Sequence, residues 1–167
     1  TAVSGSAYRG SNPCLPANFS MDGWHETEVR VRYAETDQMG IVHHANYLVW
    51  FETGRSDLCR ARGFSYKDME TEADALMVVA ETYVRHISPA YYEDLLTIRV
   101  RVSELRSRTL RFAYEVFRAS DDTLIAEGET NHVVTDSQKN VKRVPEFYRQ
   151  LLAGEESMAF PADQAPS

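Results

Sequence analysis

One apolar segment near the start of the chain limits the possible folds more than any other feature. The run Ala45-Asn46-Tyr47-Leu48-Val49-Trp50-Phe51 places large apolar side chains almost all the way round a helix. A helix of this kind is buried on most of its sides, because a surface helix needs a polar face. The helical pattern extends from His43 to Arg62, where Gly63 is a suitable C-terminal cap. The sequence therefore predicts one long, enclosed helix.

Segments typical of β-strands lie on both sides of this helix. Before it, residues 26–33 alternate, with Val29, Val31 and Tyr33 on one face and arginines on the other, which predicts a half-buried strand. After a predicted loop over residues 64–74, the same reasoning predicts four further strands and a short closing helix with a proline in its first turn. The strands span residues 75–87, 95–105, 109–119 and 124–135, and the helix spans 145–152.

Short connections between the later strands favour antiparallel pairing, and one long helix needs one sheet to cover it. We therefore expect an α+β domain of two layers over residues 24–152. Residues 1–23 are expected to be a flexible leader or tag, because they are rich in Ser, Gly and Pro and lack the apolar segment of a signal peptide. Residues 153–167 are expected to be a tail.

Charge and cysteine content narrow the possible partners and compartments. A net charge of −7 over 167 residues argues against a nucleic-acid partner, since phosphate binding needs a basic surface. No apolar run approaches the length that inserts into a membrane. Cys14 and Cys59 have neither metal-binding spacing nor a disulfide pattern, which favours a reducing, cytoplasmic location. We expect Cys59 to lie in the core.

The segment between the first strand and the helix contains two nearby carboxylates, Glu35 and Asp37. In extended chain they would point to the same side, where each opposes ionisation of the other. A carboxylate beside a helix N-terminus suits acyl transfer, because the free N–H groups of the helix can stabilise an oxyanion. The alternative is that Asp37 only caps the helix, which is common for aspartate.

Two other polar features of the helix invite a functional interpretation. Adjacent His43 and His44 point to different faces and have no His, Cys or Asp four residues on, so we expect no metal site. Glu52 shares a helical face with Ala45 and Leu48, which predicts partial burial. Arg55, three residues later, is its candidate ion-pair partner, and an ordinary ion pair is as good an explanation of Glu52 as a site role.

Other enzyme signatures are missing from the chain. The Gly-x-Ser-x-Gly elbow of α/β-hydrolases does not occur, nor does a glycine-rich phosphate loop after a strand. Neither cysteine lies in a motif for nucleophilic catalysis. The best catalytic candidate in the sequence is therefore the segment around Asp37.

That segment carries a family resemblance. The stretch Tyr33-Ala34-Glu35-Thr36-Asp37-Gln38-Met39-Gly40-Ile41-Val42-His43-His44-Ala45-Asn46-Tyr47, followed by Phe51-Glu52 and Arg55, resembles the 4-hydroxybenzoyl-CoA thioesterase-like family. It is most similar to the bacterial acyl-CoA thioesterases associated with the Tol-Pal system. The run Ile87-Ser88-Pro89-Ala90-Tyr91-Tyr92-Glu93-Asp94-Leu95 is similar to the strand-turn-strand segment of that family. Element order agrees over residues 24–152, although Glu35 stands where those relatives carry Asp.

The resemblance implies a hot-dog fold, in which a curved antiparallel sheet wraps around one long helix. It also implies homodimers, often paired into homotetramers, with active sites at the subunit interface. Neither a metal nor a bound redox cofactor is implied, because coenzyme A is part of the substrate.

Residue roles follow from the same resemblance. Asp37 matches the catalytic Asp, acting as nucleophile or general base, and His44 lies where a backbone N–H polarises the thioester carbonyl. Gly40, Tyr47 and Glu52 match positions of the substrate site. Cations at the ends of predicted strands are candidates for binding the phosphates of coenzyme A. They are Arg106, Arg108, Lys142 and Arg143.

The sequence thus predicts a thioester hydrolase that converts an acyl-CoA into the free acid and coenzyme A. An acyl-carrier-protein thioesterase and a non-catalytic acyl-CoA-binding hot-dog protein stay open as alternatives. A hot-dog dehydratase is disfavoured, since its motif needs a His five residues after the Asp and Val42 occupies that position.

Overall fold

The computed structural model describes residues 23–154, so the predicted leader, Cys14 and most of the predicted tail lie outside the described residues. The described chain forms five strands and three α-helices, with one short 3-10 helix at Tyr33–Glu35. The strands are β1 (His25–Arg30), β2 (Leu76–His86), β3 (Leu95–Leu105), β4 (Thr109–Arg118) and β5 (Thr123–Thr135). The helices are α1 (Asn46–Ala61), α2 (Tyr66–Ala73) and α3 (Glu146–Ala153).

All five strands form one antiparallel sheet in the order β1-β3-β4-β5-β2. The consecutive strands β3, β4 and β5 pair in sequence order, as the short connections predict. By contrast, β2 precedes β3 in the chain but pairs with β5 at the far side of the sheet. Strands β1 and β2 are therefore the two edges.

The core lies between the sheet and α1. Alternate side chains of β3 and β4 are buried, as the period of two predicts. From α1, Phe51 stacks on Tyr114 with ring centroids 4.1 Å apart and planes nearly parallel. Cys59 is fully buried in the same core, which confirms the expectation for it. The described fold is the predicted two-layer α+β domain.

Two glycines let the layers approach each other closely. A Cβ on Gly54 of α1 would lie 3.1 Å from Cγ2 of Ile98, so α1 approaches the side chains of β3 closely at this point. A Cβ on Gly128 of β5 would lie 2.4 Å from the carbonyl oxygen of Tyr83 and 2.7 Å from the Phe51 ring. A side chain at the second position would force β2 or the Phe51 ring to move.

Several predicted boundaries are wrong, each for a local reason. The first strand ends at Arg30, and Tyr33 is 78% exposed because the chain turns into the 3-10 helix there. Helix α1 begins at Asn46 instead of His43, although it ends beside Gly63, at φ +92°, as expected. The predicted loop over residues 64–74 contains α2, whose first turn is capped by Ser65.

Helix α1 is enclosed on only one side by its own chain. Tyr47, Trp50 and Phe51 are buried, whereas Leu48 and Val49 are 43% and 53% exposed. The prediction of a helix buried on most sides is therefore wrong for a single copy of the chain, because the sheet covers only the face turned toward it. Within residues 23–154, no helix is long and apolar enough to cross a membrane.

Candidate active site

Asp37 lies in a tight loop held together by its own backbone. Thr36 and Val42 form an antiparallel bridge at the base of this loop. The Asp37 N–H donates to the Ile41 carbonyl at 2.9 Å, and the Gly40 N–H donates to the Asp37 carbonyl at 2.9 Å. Gly40 has φ +76°, a conformation that favours glycine, so its defined role in this structure is to close the turn.

The two oxygens of the Asp37 carboxylate have different surroundings. Oδ1 accepts a hydrogen bond from the Met39 N–H at 2.8 Å. Oδ2 makes no hydrogen bond with any residue in the described range. Asp37 does not cap α1, because Ala45 is at the N-cap position and no side chain bonds there. The capping alternative for Asp37 is therefore wrong.

Glu35 does not share a site with Asp37. Because the chain forms a 3-10 helix instead of an extended strand, the Glu35 carboxylate turns inward, where it is buried. It accepts hydrogen bonds from the Arg32 N–H and guanidinium and from the Trp50 indole. Burial opposes ionisation of Glu35, but these bonds outweigh it and lower its pKa. The predicted carboxylate pair is wrong, and Glu35 holds the loop in place.

A cavity of about 430 Å³ opens beside Asp37. The backbone bond from the Val42 N–H to the Ala90 carbonyl, at 2.8 Å, joins the Asp37 loop to the segment that follows β2. One part of the cavity wall is apolar and another part carries polar side chains. The lining residues are Asp37, Met39, Ile41, Val42, His44, Tyr47, His86, Ile87, Ser88 and Pro89.

His44 lies two residues before the first residue of α1 and lines this cavity. Its carbonyl accepts from the Tyr47 N–H at 3.4 Å, but its own N–H makes no hydrogen bond to any described residue. The His44 ring packs at a tilt against that of His43, with centroids 4.3 Å apart. An unpaired N–H at the start of a helix is the kind of donor that stabilises an oxyanion.

Tyr47 forms the inner wall of the cavity. It is buried, and burial raises the pKa of its hydroxyl to about 12, so the phenol stays neutral at physiological pH. Its ring meets those of Trp50 and His86 edge-on, at centroid distances of 5.0 and 4.7 Å. These contacts give Tyr47 one fixed orientation.

Glu52 is not part of this cavity within one chain. Its side chain is 68% exposed, so the predicted partial burial is wrong. The predicted partner is correct: the Arg55 guanidinium lies 3.9 Å from the Glu52 carboxylate. Arg55 itself is buried and faces the hydroxyls of Tyr114 and Tyr66.

The four candidate phosphate-binding cations come together at one end of the sheet. The Val144 N–H donates to the Ser107 carbonyl at 2.9 Å, which joins the turn carrying Arg106 and Arg108 to the segment carrying Lys142 and Arg143. The Arg106 guanidinium binds the Glu104 carboxylate at 2.6 Å, and the Lys142 ammonium donates to the Ala73 carbonyl at 2.8 Å.

This basic cluster and the Asp37 cavity lie at opposite ends of the pair formed by β2 and β5. The cluster adjoins the Leu76 end of β2, because the residues it contacts in β5 pair there, whereas His86 at the other end lines the cavity. Ten residues of strand span roughly 33 Å. A single chain therefore does not bring the four cations to the cavity.

Sequence reasoning missed two polar residues of the cavity, His86 and Ser88. Ile87-Ser88-Pro89 belongs to the strand-turn-strand segment that carries part of the resemblance, so its neighbourhood was the available signal. Residues 23–154 contain no group of three or more His, Cys, Asp or Glu side chains able to hold a metal ion. Among these residues, the polar groups in reach of a ligand are thus one carboxylate, two imidazoles, two hydroxyls and the His44 N–H.

Comparison with known proteins finds related chains. Residues 31–162 match the thioesterase-like superfamily. The chain is 34% identical to the putative acyl-CoA thioesterase YneP of Bacillus subtilis, over 66% of this chain and 79% of YneP. It is 33% identical to the acyl-CoA thioester hydrolase YbgC of Escherichia coli O157:H7, over 66% and 81%.

The fold also matches solved structures. A hypothetical protein, TT1821, from Thermus thermophilus superposes with a TM-score of 0.73 at 36% identity, covering 77% of this chain and 97% of that one. The match therefore includes almost all of the relative and leaves about a quarter of this chain without a counterpart in it.

Proposed function

The chain belongs to the thioesterase-like superfamily and has its hot-dog fold, and from that premise we propose that it hydrolyses acyl-CoA thioesters at Asp37. The products are the free acid and coenzyme A. The names of the relatives YneP and YbgC describe this activity. The alignment with this chain covers most of the length of each relative.

One observation carries the assignment to Asp37. Its carboxylate is held by the Met39 N–H through Oδ1, which leaves Oδ2 without a partner in the described structure, beside a cavity that His44 also lines. A carboxylate that only stabilised its loop would need no cavity. The unpaired N–H of His44 supplies the second requirement of acyl transfer, a donor for the carbonyl oxygen.

The chemistry follows from these two groups. A thioester carbonyl that accepts the His44 N–H becomes more electrophilic, and negative charge that develops on its oxygen is stabilised there. Asp37 then attacks the carbonyl carbon as nucleophile or removes a proton from water as general base. Tyr47, whose phenol stays protonated, closes the inner wall where the acyl group enters.

We further propose that the active unit is a homodimer formed through β2. This strand is a long sheet edge with exposed Val78, Val79 and Tyr83. Exposed edges of this kind pair with another strand, and a twofold axis would pair β2 antiparallel with its copy. The exposed Leu48 and Val49 of α1 provide a second apolar surface for the partner.

Antiparallel pairing of β2 with its copy also explains the distant basic cluster. It sets the Leu76 end of one strand beside the His86 end of the other, so the cluster of one chain approaches the cavity of its partner. We propose that these cations then bind the phosphates of coenzyme A. Arg106 and Lys142 would exchange part of their present contacts for phosphate oxygens. Homotetramers and a cytoplasmic location stay predictions.

A thioester panel tests the proposed function. Thiol release is measured for acyl-CoAs with short, long and aromatic acyl groups, with the wild type, Asp37→Asn and Asp122→Asn. The asparagine side chain in Asp37→Asn keeps an acceptor for the Met39 N–H, so the loop stays folded while the reactive oxygen is lost. We expect Asp37→Asn to lower kcat by about 10²- to 10⁴-fold. Asp122, at the exposed β4–β5 turn, is the matched control and should leave kcat unchanged.

Parallel assays separate the two alternatives. Faster hydrolysis of acyl-carrier-protein thioesters than of every acyl-CoA would assign the carrier-protein activity to the chain. Binding of an acyl-CoA without any hydrolysis, unaffected by Asp37→Asn, would indicate the non-catalytic binding protein. Hydrolysis by Asp37→Asn at the wild-type rate would contradict the role given to Asp37.

A further inference from the structure

His86 is a titratable side chain of the Asp37 cavity that neither attacks the thioester nor binds its carbonyl oxygen in the proposed reaction. It is the last residue of β2 and lines the cavity together with Asp37, His44 and Tyr47. The N–H groups of Ile87 and Ser88 both donate to the Ile125 carbonyl, at 2.9 and 3.0 Å. The backbone that follows His86 is thus fixed to β5, which gives its side chain a defined origin.

The His86 ring is also oriented. It packs edge-on against the Tyr47 ring, with a centroid distance of 4.7 Å and an interplanar angle of 76°. No described residue forms an ion pair or hydrogen bond with the imidazole. The imidazole thus packs on a buried tyrosine and lines the cavity, and its nitrogen atoms have no partner among the described residues.

On the basis of the proposed thioesterase activity, we propose that His86 is the general base for the water that completes hydrolysis, while Asp37 is the nucleophile. In the first step Asp37 Oδ2 forms a bond to the acyl carbon, the C–S bond breaks, and the thiolate of coenzyme A leaves. In the second step water attacks the acyl carbon of the mixed anhydride and gives one proton to His86. The bond from that carbon to Asp37 then breaks, the acid leaves, and the imidazolium returns its proton to the thiolate or to solvent.

The assignment of Asp37 as nucleophile and His86 as general base has a physical reason. A general base is most effective when its pKa lies near the working pH, and an imidazole is closer to neutrality than a carboxylate. Partial desolvation, followed by the neighbouring His44, lowers the pKa of His86 below its usual value. His86 is therefore neutral near pH 7 and available to accept a proton.

Titratable groups approach His86 from the Asp37 loop, from the N-terminal end of α1 and from β5. Asp37 comes from the loop, His44 from the residues just before α1, and Tyr47 from the first turn of α1. On β5, the residue opposite His86 is Ala126. The next charged residue there, Glu127, pairs with Arg85 at 3.1 Å, so its charge is already balanced.

The test compares His86→Gln and His86→Phe with the control His43→Gln. His43 is the neighbour of His44 but does not line the cavity. Steady-state kcat is measured against pH, and thiol release is followed in the first turnover. Thermal unfolding of each variant checks that the variant is folded. We expect both His86 variants to fold, because His86 is exposed at the end of a strand.

We expect both His86 variants to lower kcat by about 10²-fold and to release one thiol per site in a fast burst, because the acyl group then stays on Asp37. Because the pKa of His86 is lowered, the wild-type kcat should rise with pH at values below the usual imidazole pKa of about 6.5, and this rise should vanish in His86→Gln. His43→Gln should behave as the wild type in every assay.

Other results overturn the inference. A kcat within twofold of the wild type in both His86 variants removes His86 from the mechanism, and a lower kcat without a burst removes it from the second step. Either result leaves thioester hydrolysis by the wild type intact. A wild type that hydrolyses no thioester would instead overturn the proposed function, and this inference with it.

Discussion

Glu35 and Asp37 are two residues apart and carry the same functional group, yet their surroundings differ completely. Glu35 is buried with three donors from Arg32 and Trp50, whereas Asp37 keeps one oxygen without a partner in the described structure. A carboxylate whose acceptors are all used stabilises a structure, and one with a free oxygen can react. Their spacing in the sequence does not indicate which carboxylate is buried, because the 3-10 helix determines the direction in which each side chain points.

A substitution at Gly128 tests how closely α1 packs against the sheet. Gly128→Ala would place a methyl group against the Tyr83 carbonyl oxygen and the Phe51 ring, so the sheet or α1 must move. We expect the free energy of unfolding to fall by about 2 to 3 kcal/mol in urea denaturation.

Gly54→Ala is the matched control for this change. Its methyl group meets only strand side chains, chiefly Ile98, which can shift, and alanine favours the helix by about 1 kcal/mol. We expect the net change in stability to stay below about 1 kcal/mol. An equal loss in both variants would show that backbone contact at Gly128 is not the cause.

At the scale of elements, β3 and α2 show what periodicity finds and what it misses. The predicted and observed bounds of β3 agree to the residue, because its buried face alternates without interruption over most of its length. Helix α2 was missed, since only eight residues carry its pattern. A signal was present nonetheless: Ser65 and Asp68 have the spacing of a capping box, and both reciprocal hydrogen bonds form, at 2.8 and 3.1 Å.

The capping box predicts a measurable contribution to stability. Ser65→Ala leaves the Asp68 N–H without its acceptor, so we expect a loss of about 1 kcal/mol in the free energy of unfolding. Thr71→Ala is the control, because the Thr71 hydroxyl bonds only to the Lys67 carbonyl within the same helix. If the two variants are equally stable, the cap does not anchor α2.

At the scale of the whole molecule, several of the exposed large apolar side chains are grouped on two surfaces. Val78, Val79 and Tyr83 lie along one sheet edge, and Leu48 and Val49 lie on the uncovered side of α1. Exposed apolar surface on an unpaired edge marks a site of association. The all-round apolar character of α1 therefore fits burial by two chains better than burial by one.

Val79→Lys tests this assembly. A lysine on the β2 edge opposes edge-to-edge pairing, so we expect monomers in sedimentation at concentrations where the wild type is dimeric. Thiol release from acyl-CoA should fall at least about tenfold, because the basic cluster of the partner is lost.

Glu28→Lys introduces the same side chain on β1, the opposite edge of the sheet. It should leave both the oligomeric state and the rate of thiol release unchanged. A Val79→Lys variant that stays dimeric, or a wild type that is monomeric, would exclude pairing through β2.

Elements that depend on local pattern are readable from the amino-acid order alone. Alternation predicts the strands and their buried faces, the long apolar run predicts α1, and the motif around Asp37 predicts the family. Contacts between residues that are distant in the chain are determined by the folded domain. Folding sets β2 beside β5, turns Glu35 inward to Trp50, and brings His86 to the cavity of Asp37. The reason is that periodicity records which side of an element is apolar, whereas the partners that meet there are chosen by packing of the whole domain.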